Sequence, residues 1–257
     1  MQPFERLRAV VRWSDGLDER SLVAEAIQCL AGFDLDPAGL VMACRRLLVH
    51  HPEVARLWWL CARVATAIDP ADAAWDAWDR LELDATASRV GEAIGETDRP
   101  VLTLGWDPTI EALALDRPDL DLVAMRTGDD AALSRALRMS DRGARVVDRI
   151  GAAVLDPVAV LVPLAAAGAG EVLVAASVAR TLTDLDVAAP RWLVAPLGTA
   201  LPHDLFGAYR RANGDDPGPV DLATFDGAIG PTGAQDERTF PRRRDAPEAP
   251  ELLRLTI

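Results

Sequence analysis

The side chains that could run a reaction are few in this sequence, and their spacing narrows the chemistry further. All 27 Lys-plus-Arg positions are arginine, so neither a Schiff base nor a lysine general base is available. His50, His51 and His203 have no partner at metal-ligand spacing, and His50-His51 suits a helix C-terminus, where a cation meets the negative end of the dipole. Cys29, Cys44 and Cys61 fall on apolar helical faces, a pattern of buried small hydrophobes and not of a disulfide framework or zinc knuckle. Gly168 and Gly170 precede an apolar run where a dinucleotide fingerprint would follow one, so no nicotinamide is expected, nor any other cofactor or metal. Three carboxylates remain. Asp107-Pro108 and Asp156-Pro157 both have the form of a helix N-cap followed by proline at the first helical position, and Asp148 has no assigned partner.

Asp107 stands out by its setting. The run Val101-Leu-Thr-Leu-Gly-Trp-Asp-Pro-Thr109 reads as a strand, a glycine turn and a capped helix. In parallel α/β folds such corners lie at the carboxyl edge of the sheet, where ligands bind. Ahead of the corner, Leu22 to Ile94 is helical throughout. Successive apolar stripes run through Val23, Ala26, Ile27 and Leu30, then Leu40, Val41, Cys44, Leu47 and Leu48. Val54, Leu57, Trp58, Cys61, Ala65 and Ile68 make the next face, and Asp36-Pro37 and Asp69-Pro70 repeat the cap device.

Near residues 97–100 the grammar changes. Short apolar runs at Val101–Leu104, Leu120–Met125, Ala144–Asp148, Val172–Ala176 and Trp192–Ala195 alternate with helical stretches, which predicts a parallel sheet covered by helices on both faces. Val220–Phe225 offers one further strand, and 230–250 an extended arm. The division expected is a helical domain over 1–96 and an α/β domain over 97–257.

Composition removes several functions. With 257 residues, half of them hydrophobic, the chain can bury a sizeable core. A net charge of −13 repels nucleic acid and anionic membranes, and Arg242-Arg243-Arg244 is read as solvated or locally paired, so no nucleic-acid partner is expected. The longest apolar stretch, Val158 to Gly170, is too short to span a bilayer and contains Pro163, and no apolar run of the signal-peptide kind follows Arg6 and Arg8. A soluble cytoplasmic protein with reduced cysteines is expected.

The second half resembles the translation initiation factor 2B regulatory subunits (α, β and δ), a family that includes isomerases of methylthioribose 1-phosphate and ribose 1,5-bisphosphate. The stretches that carry the likeness are V-L-T-L-G-W at 101, V-A-M-R at 123, G-A-G-E-V-L at 168, V-A-P-L at 194 and F-D at 225. The resemblance implies a Rossmann-like sheet behind an N-terminal helical bundle, a homodimer formed through the α/β domain, and a small phosphorylated metabolite as ligand. It also implies that the chemistry has gone. The isomerases' corner cysteine is Gly105 here, the aspartate of their G-A-D is Gly170, and the usual asparagine, glycine and lysine are Ala175, Ala176 and Thr181. An aldose-ketose isomerase must move a proton between carbons, and no matched position supplies an acid-base group.

The ligand-binding candidates are therefore Gly105, Trp106, Asp107, Thr109, Arg126, Gly170, Ser177 and Arg180, with no catalytic residue. Arg126, ending the second strand, is expected to reach Asp107 and close the pocket mouth. The leading reading is a non-catalytic assembly or metabolite-sensing protein. The alternatives are a sugar-phosphate isomerase with acid-base groups relocated to Asp107 or Asp148, and a protein-protein interaction module built on the helical half.

Overall fold

Aspartate caps set the first helices. The computed structural model describes residues 5–8, 18–33, 36–128, 130–139, 144–148, 151, 155–168 and 170–254. Helix α1 (Glu19–Leu30) begins at Asp18, whose carboxylate accepts from Ser21 N at 2.9 Å. In α2 (Pro37–His50) Asp36 accepts from Gly39 N in the same way. Such caps each stabilise by about 1 kcal/mol. Helix α3 (Ala55–Thr66) follows, then α4 (Pro70–Glu82), capped by Asp69, and α5 (Thr86–Ile94).

The sequence gives α3 one apolar face, but the fold surrounds it: Trp59, Leu60 and Ala62 are as buried as Leu57, Trp58 and Cys61. A helix apolar all round belongs inside. Ile68 is the exception to the expected stripe; the helix stops at Thr66 and Ile68 is fully exposed. The core around α3 also takes in residues far along the chain, namely Leu205, Phe206 and Tyr209 and, from the last turns, Ala249 and Leu252. Trp58 packs edge-on against Tyr209, with ring centroids 5.9 Å apart. Trp58 Nε1 donates to Pro52 O and Tyr209 Oη to Glu53 O, each at 2.9 Å, so both polar tips are satisfied in the apolar setting.

The second half is built on a seven-stranded sheet. The strands in chain order are β1 (Val101–Thr103), β2 (Leu122–Met125), β3 (Arg145–Val147), β4 (Ala159–Pro163), β5 (Ala166–Gly168), β6 (Glu171–Val174), β7 (Arg191–Val194), β8 (Gly218–Asp221), β9 (Gly227–Gly230) and β10 (Gly233–Gln235). The main sheet has the order β10-β9-β7-β4-β1-β2-β3 and is parallel apart from the β9–β10 hairpin. Helix α6 (Pro108–Asp116) joins β1 to β2, α7 (Asp130–Arg138) joins β2 to β3, α8 (Ala176–Asp184) leads into β7, and α9 (His203–Asn213) follows it.

Alternate residues of the strands enter two different cores. Val101, Leu122, Ala124, Leu161, Val194 and Ile229 meet α5, α6 and α7 on one face. Leu102, Val123, Val160, Val162 and Leu193 meet α8 and the β5–β6 hairpin on the other. Burial on both faces is why these strands read as continuous apolar runs. No described helix is long and apolar enough to cross a membrane.

Three expectations about the sheet are corrected. Val172–Ala176 is not a strand of the parallel sheet; β6 forms a separate antiparallel sheet of order β5-β6-β8, because Ala165–Gly168 folds back on it as a hairpin. The central strand is instead β4, from within the apolar stretch Val158–Gly170, and Asp156-Pro157 leads into it rather than capping a helix: Asp156 Oδ1 accepts from Arg99 Nη2 at 2.7 Å. Of Val220–Phe225, Val220 and Asp221 belong to β8 and Leu222–Thr224 turn as a short 3-10 helix; the outer parallel strand is Gly227–Gly230.

Candidate functional site

The chain runs outward from β1 to β2 and β3, then returns to place β4 on the other side of β1. This reversal leaves a crevice outside the carboxyl ends of β1 and β4, the place where open α/β sheets bind ligands. A cleft of about 200 Å³ occupies it. Its floor is Leu104 to Asp107 after β1, Pro163 to Ala165 after β4, and Pro196 and Thr199 after β7. Its opposite wall comes from the helical half, with Glu19, Glu53 and Arg56, and Arg135 of α7 also lines it.

The corner folds as the sequence implies. Gly105 has φ +109°, a left-handed conformation that disfavours any side chain. Trp106 is buried, and among the described residues its Nε1 has no hydrogen-bond partner. Asp107 caps α6, accepting from Ile110 N at 2.8 Å. Burial pushes its carboxyl from 3.8 up to about 6, against the opposing pull of Ile110 N and of Arg56.

The expected Asp107–Arg126 pair does not form. Arg126 is exposed and lines a separate small crevice beside Met125 and Ala136, because the corner turns Asp107 toward the helical half, where Arg56 supplies the facing charge. Arg56 is the residue that sequence reasoning missed. Its Nε donates to Leu197 O at 3.1 Å, Nη1 lies 3.4 Å from Glu19 and Nη2 3.7 Å from Asp84, and its side chain is 13% exposed. It ties the helical half to the loop after β7.

A second buried pair holds the same loop from the other side. Arg243 donates twice to Asp245, at 2.8 and 2.7 Å, and also to the carbonyls of Ala195 and Pro196. Asp245 in turn accepts from Gly198 N and Ala200 N. Arg243 of the basic run is thus locally paired, with its side chain 10% exposed, and acts as an internal brace.

The other candidates scatter. Thr109 is buried and faces a neighbouring crevice of about 270 Å³ between α1, α4, α5 and α6, which shares Arg56 with the cleft. Gly170 sits in the exposed β5–β6 turn at φ +92°, away from the cleft, so the G-A-D match does not fall at the site; the residues that follow β4 into the cleft are Leu164 and Ala165, neither titratable. Ser177 is half-buried and Arg180 exposed on α8, whose contributions to the cleft are Ala175 and Val178. Asp148 is exposed and accepts from Gly151 N. Burial pushes the Cys29 thiol up to about 12 and that of Cys61 well above the ordinary thiol range, which disfavours a thiolate at either.

A six-strand parallel order with a switch-point cleft defines a Rossmann-like α/β protein, here carrying an N-terminal helical bundle. The whole arrangement is shared with eIF2B subunits. The chain superposes on eIF2B beta from Chaetomium thermophilum with a TM-score of 0.68 at 11% identity, covering 93% of this chain and 89% of that one. The match to the tetrameric eIF2B-beta2-delta2 complex of C. thermophilum has a TM-score of 0.69 at 14% identity, with 93% and 92% covered. For the translation initiation factor eIF-2B of Pyrococcus horikoshii the values are 0.69, 12%, 90% and 96%. No family model and no curated protein matches the sequence. At these identities the likeness is one of fold, and it spans both halves.

Proposed function

We propose that this chain is a non-catalytic relative of the eIF2B regulatory subunits that holds a small metabolite in the switch-point cleft and serves as a sensing or assembly protein. One observation carries the reading: the cleft is kept, with walls from both halves, while the strand ends that floor it offer a single titratable side chain. That side chain, Asp107, is already engaged as the cap of α6. An isomerase must both take a proton from one carbon and deliver one to its neighbour; of the cleft's carboxylates Asp107 is engaged as a cap and Glu19 faces Arg56, and Glu53 stands exposed on the opposite wall, away from the strand ends. A ligand held between a helical domain (1–96) and an α/β domain (97–257) would favour one relative position of the two, which is what a sensor needs. Self-association through the α/β domain fits the tetrameric assembly named for one of the similar structures.

A second reading rests on the same aspartate. A carboxyl raised to about 6 beside a cleft is suited to general acid-base work near neutrality, so a relocated isomerase activity would run through Asp107. Native mass spectrometry of the protein purified from its own cells tests the leading reading. Retention of one stoichiometric small molecule is expected. A ligand-free protein that nonetheless turns over aldose phosphates would replace it with the second.

A further inference from the structure

The crevice next to the switch-point cleft takes no part in the function proposed above. It has a volume of about 270 Å³ and lies between α1, α4 and α5 of the helical half and α6 of the α/β half. Its apolar wall is formed by Val23 of α1, Trp78 and Leu81 of α4, Ala87 of α5 and Ala112 of α6. Val23 belongs to the core of the helical half, and Trp78 and Leu81 pack half-buried against that core. The wall therefore holds apolar surface that a second apolar molecule could take out of water.

The charged side chains of the lining are engaged with one another. Arg20 holds Glu82 through both carboxylate oxygens, at 2.7 and 3.0 Å. Arg56 faces Glu19 and Asp84 and donates to Leu197 O. Asp84 also accepts from Thr86 N, Thr86 Oγ1 and Leu197 N, at 3.0, 2.6 and 2.9 Å. Asp116, the remaining carboxylate, is exposed at the last residue of α6. An ionic ligand would have to break one of these pairs or compete with water for Asp116. Thr109 is different. It is the second residue of α6, only 7% exposed, and lines the crevice, yet its hydroxyl makes no hydrogen bond among the described residues. Buried hydroxyls normally have a partner, and this one can both donate and accept.

We infer that this crevice is a second binding site, for a small uncharged molecule with one apolar ring and one hydroxyl or carbonyl group, the ring against the apolar wall and the polar group bonded to Thr109. The volume agrees: an apolar cavity of ~150 Å³ holds benzene and drug-sized ligands need ~300 Å³ or more, so about 270 Å³ suits a single substituted ring. An NMR saturation-transfer titration of the full chain with benzyl alcohol, toluene, benzoate and benzylamine tests it, because these carry the same ring with a hydroxyl, no polar group, an anion and a cation. Benzyl alcohol is expected to bind saturably and tighter than the other three. Thr109→Val keeps the shape of the side chain and removes the hydroxyl. It should weaken benzyl alcohol by about threefold to tenfold, the scale of one neutral hydrogen bond, and leave toluene unchanged. Ala112→Leu fills the crevice from α6 and Ala24→Leu from α1, and each should abolish binding of both.

Binding of benzoate or benzylamine as tight as that of benzyl alcohol overturns the inference, because charge would then decide what enters. Benzyl alcohol affinity unchanged in Thr109→Val overturns it too, as does parent-like binding in a folded crevice-filling variant. Failure of all four probes to bind has the same consequence. Whether the switch-point cleft holds a metabolite is decided separately, by the native mass measurement.

Discussion

Replacing Asp107 by asparagine separates the cap from the charge. Asparagine ranks with aspartate at N-caps and can accept the same hydrogen bond from Ile110 N, so the helix start is kept. What changes is the ionisation. The carboxyl rises from 3.8 to about 6 on folding, so the folded protein holds this proton more tightly than the unfolded chain does. Its contribution to stability is most favourable below 3.8, declines as pH rises toward 6, and is fully unfavourable above that. At about 1.4 kcal/mol per pH unit of displacement the full penalty is about 3 kcal/mol, and the half-buried position of the residue brings it to roughly 1–3 kcal/mol. Asp107→Asn should therefore be more stable than the parent by that amount at pH 8 in urea denaturation, and the gain should shrink to near zero by pH 4. A variant that is less stable than the parent at pH 8 would refute the reasoning, because the ionised carboxylate would then be a net stabilising cap with an ordinary titration.

Trp58→Ala should cost roughly 3–5 kcal/mol, since the indole is wholly buried against Tyr209; a melting temperature within a degree or two of the parent's would contradict this. Arg243→Met leaves Asp245 charged and buried, with the N–H groups of Gly198 and Ala200 as partial compensation, and should destabilise by about 3 kcal/mol in the same denaturation assay. Self-association through the α/β half is expected at micromolar concentration, and sedimentation that finds only the 27.6 kDa monomer would count against it.

The corner at residues 101–109 was legible because its signals are local: an apolar run, a glycine at positive φ, then Asp-Pro at a helix start. The same holds for the helix starts at Asp36 and Asp69. The central strand β4 was hidden because Val158–Gly170 stays apolar across both the strand and the hairpin that turns away from it, so hydrophobicity alone marks no boundary. Gly227–Gly230 escaped for the opposite reason, having two glycines in four residues and no β-branched run.

The site itself was half visible. Asp107 announces its place, but Arg56, Asp84, Asp216 and Asp245 are residue types usual on any surface, and they meet at the carboxyl edge from four distant parts of the chain. The Asp107–Arg126 pairing failed on direction: adjacent strands bring the residues near, yet the turn at Gly105 aims the aspartate at the helical half. The likeness placed at residue 168 followed a short glycine-containing string, and the hairpin carries that string away from the cleft.

Whether the cleft binds without reacting is open to one direct measurement. The protein is incubated in deuterium oxide with a panel of aldose phosphates and unphosphorylated aldoses, and the recovered sugars are weighed by mass spectrometry for deuterium at the carbon next to the carbonyl. An isomerase must exchange or transfer that hydrogen on every cycle, whichever residue serves as its base. The account predicts no incorporation above a protein-free control. Enzyme-dependent incorporation that disappears in Asp107→Asn would contradict it and establish the cleft as an active site.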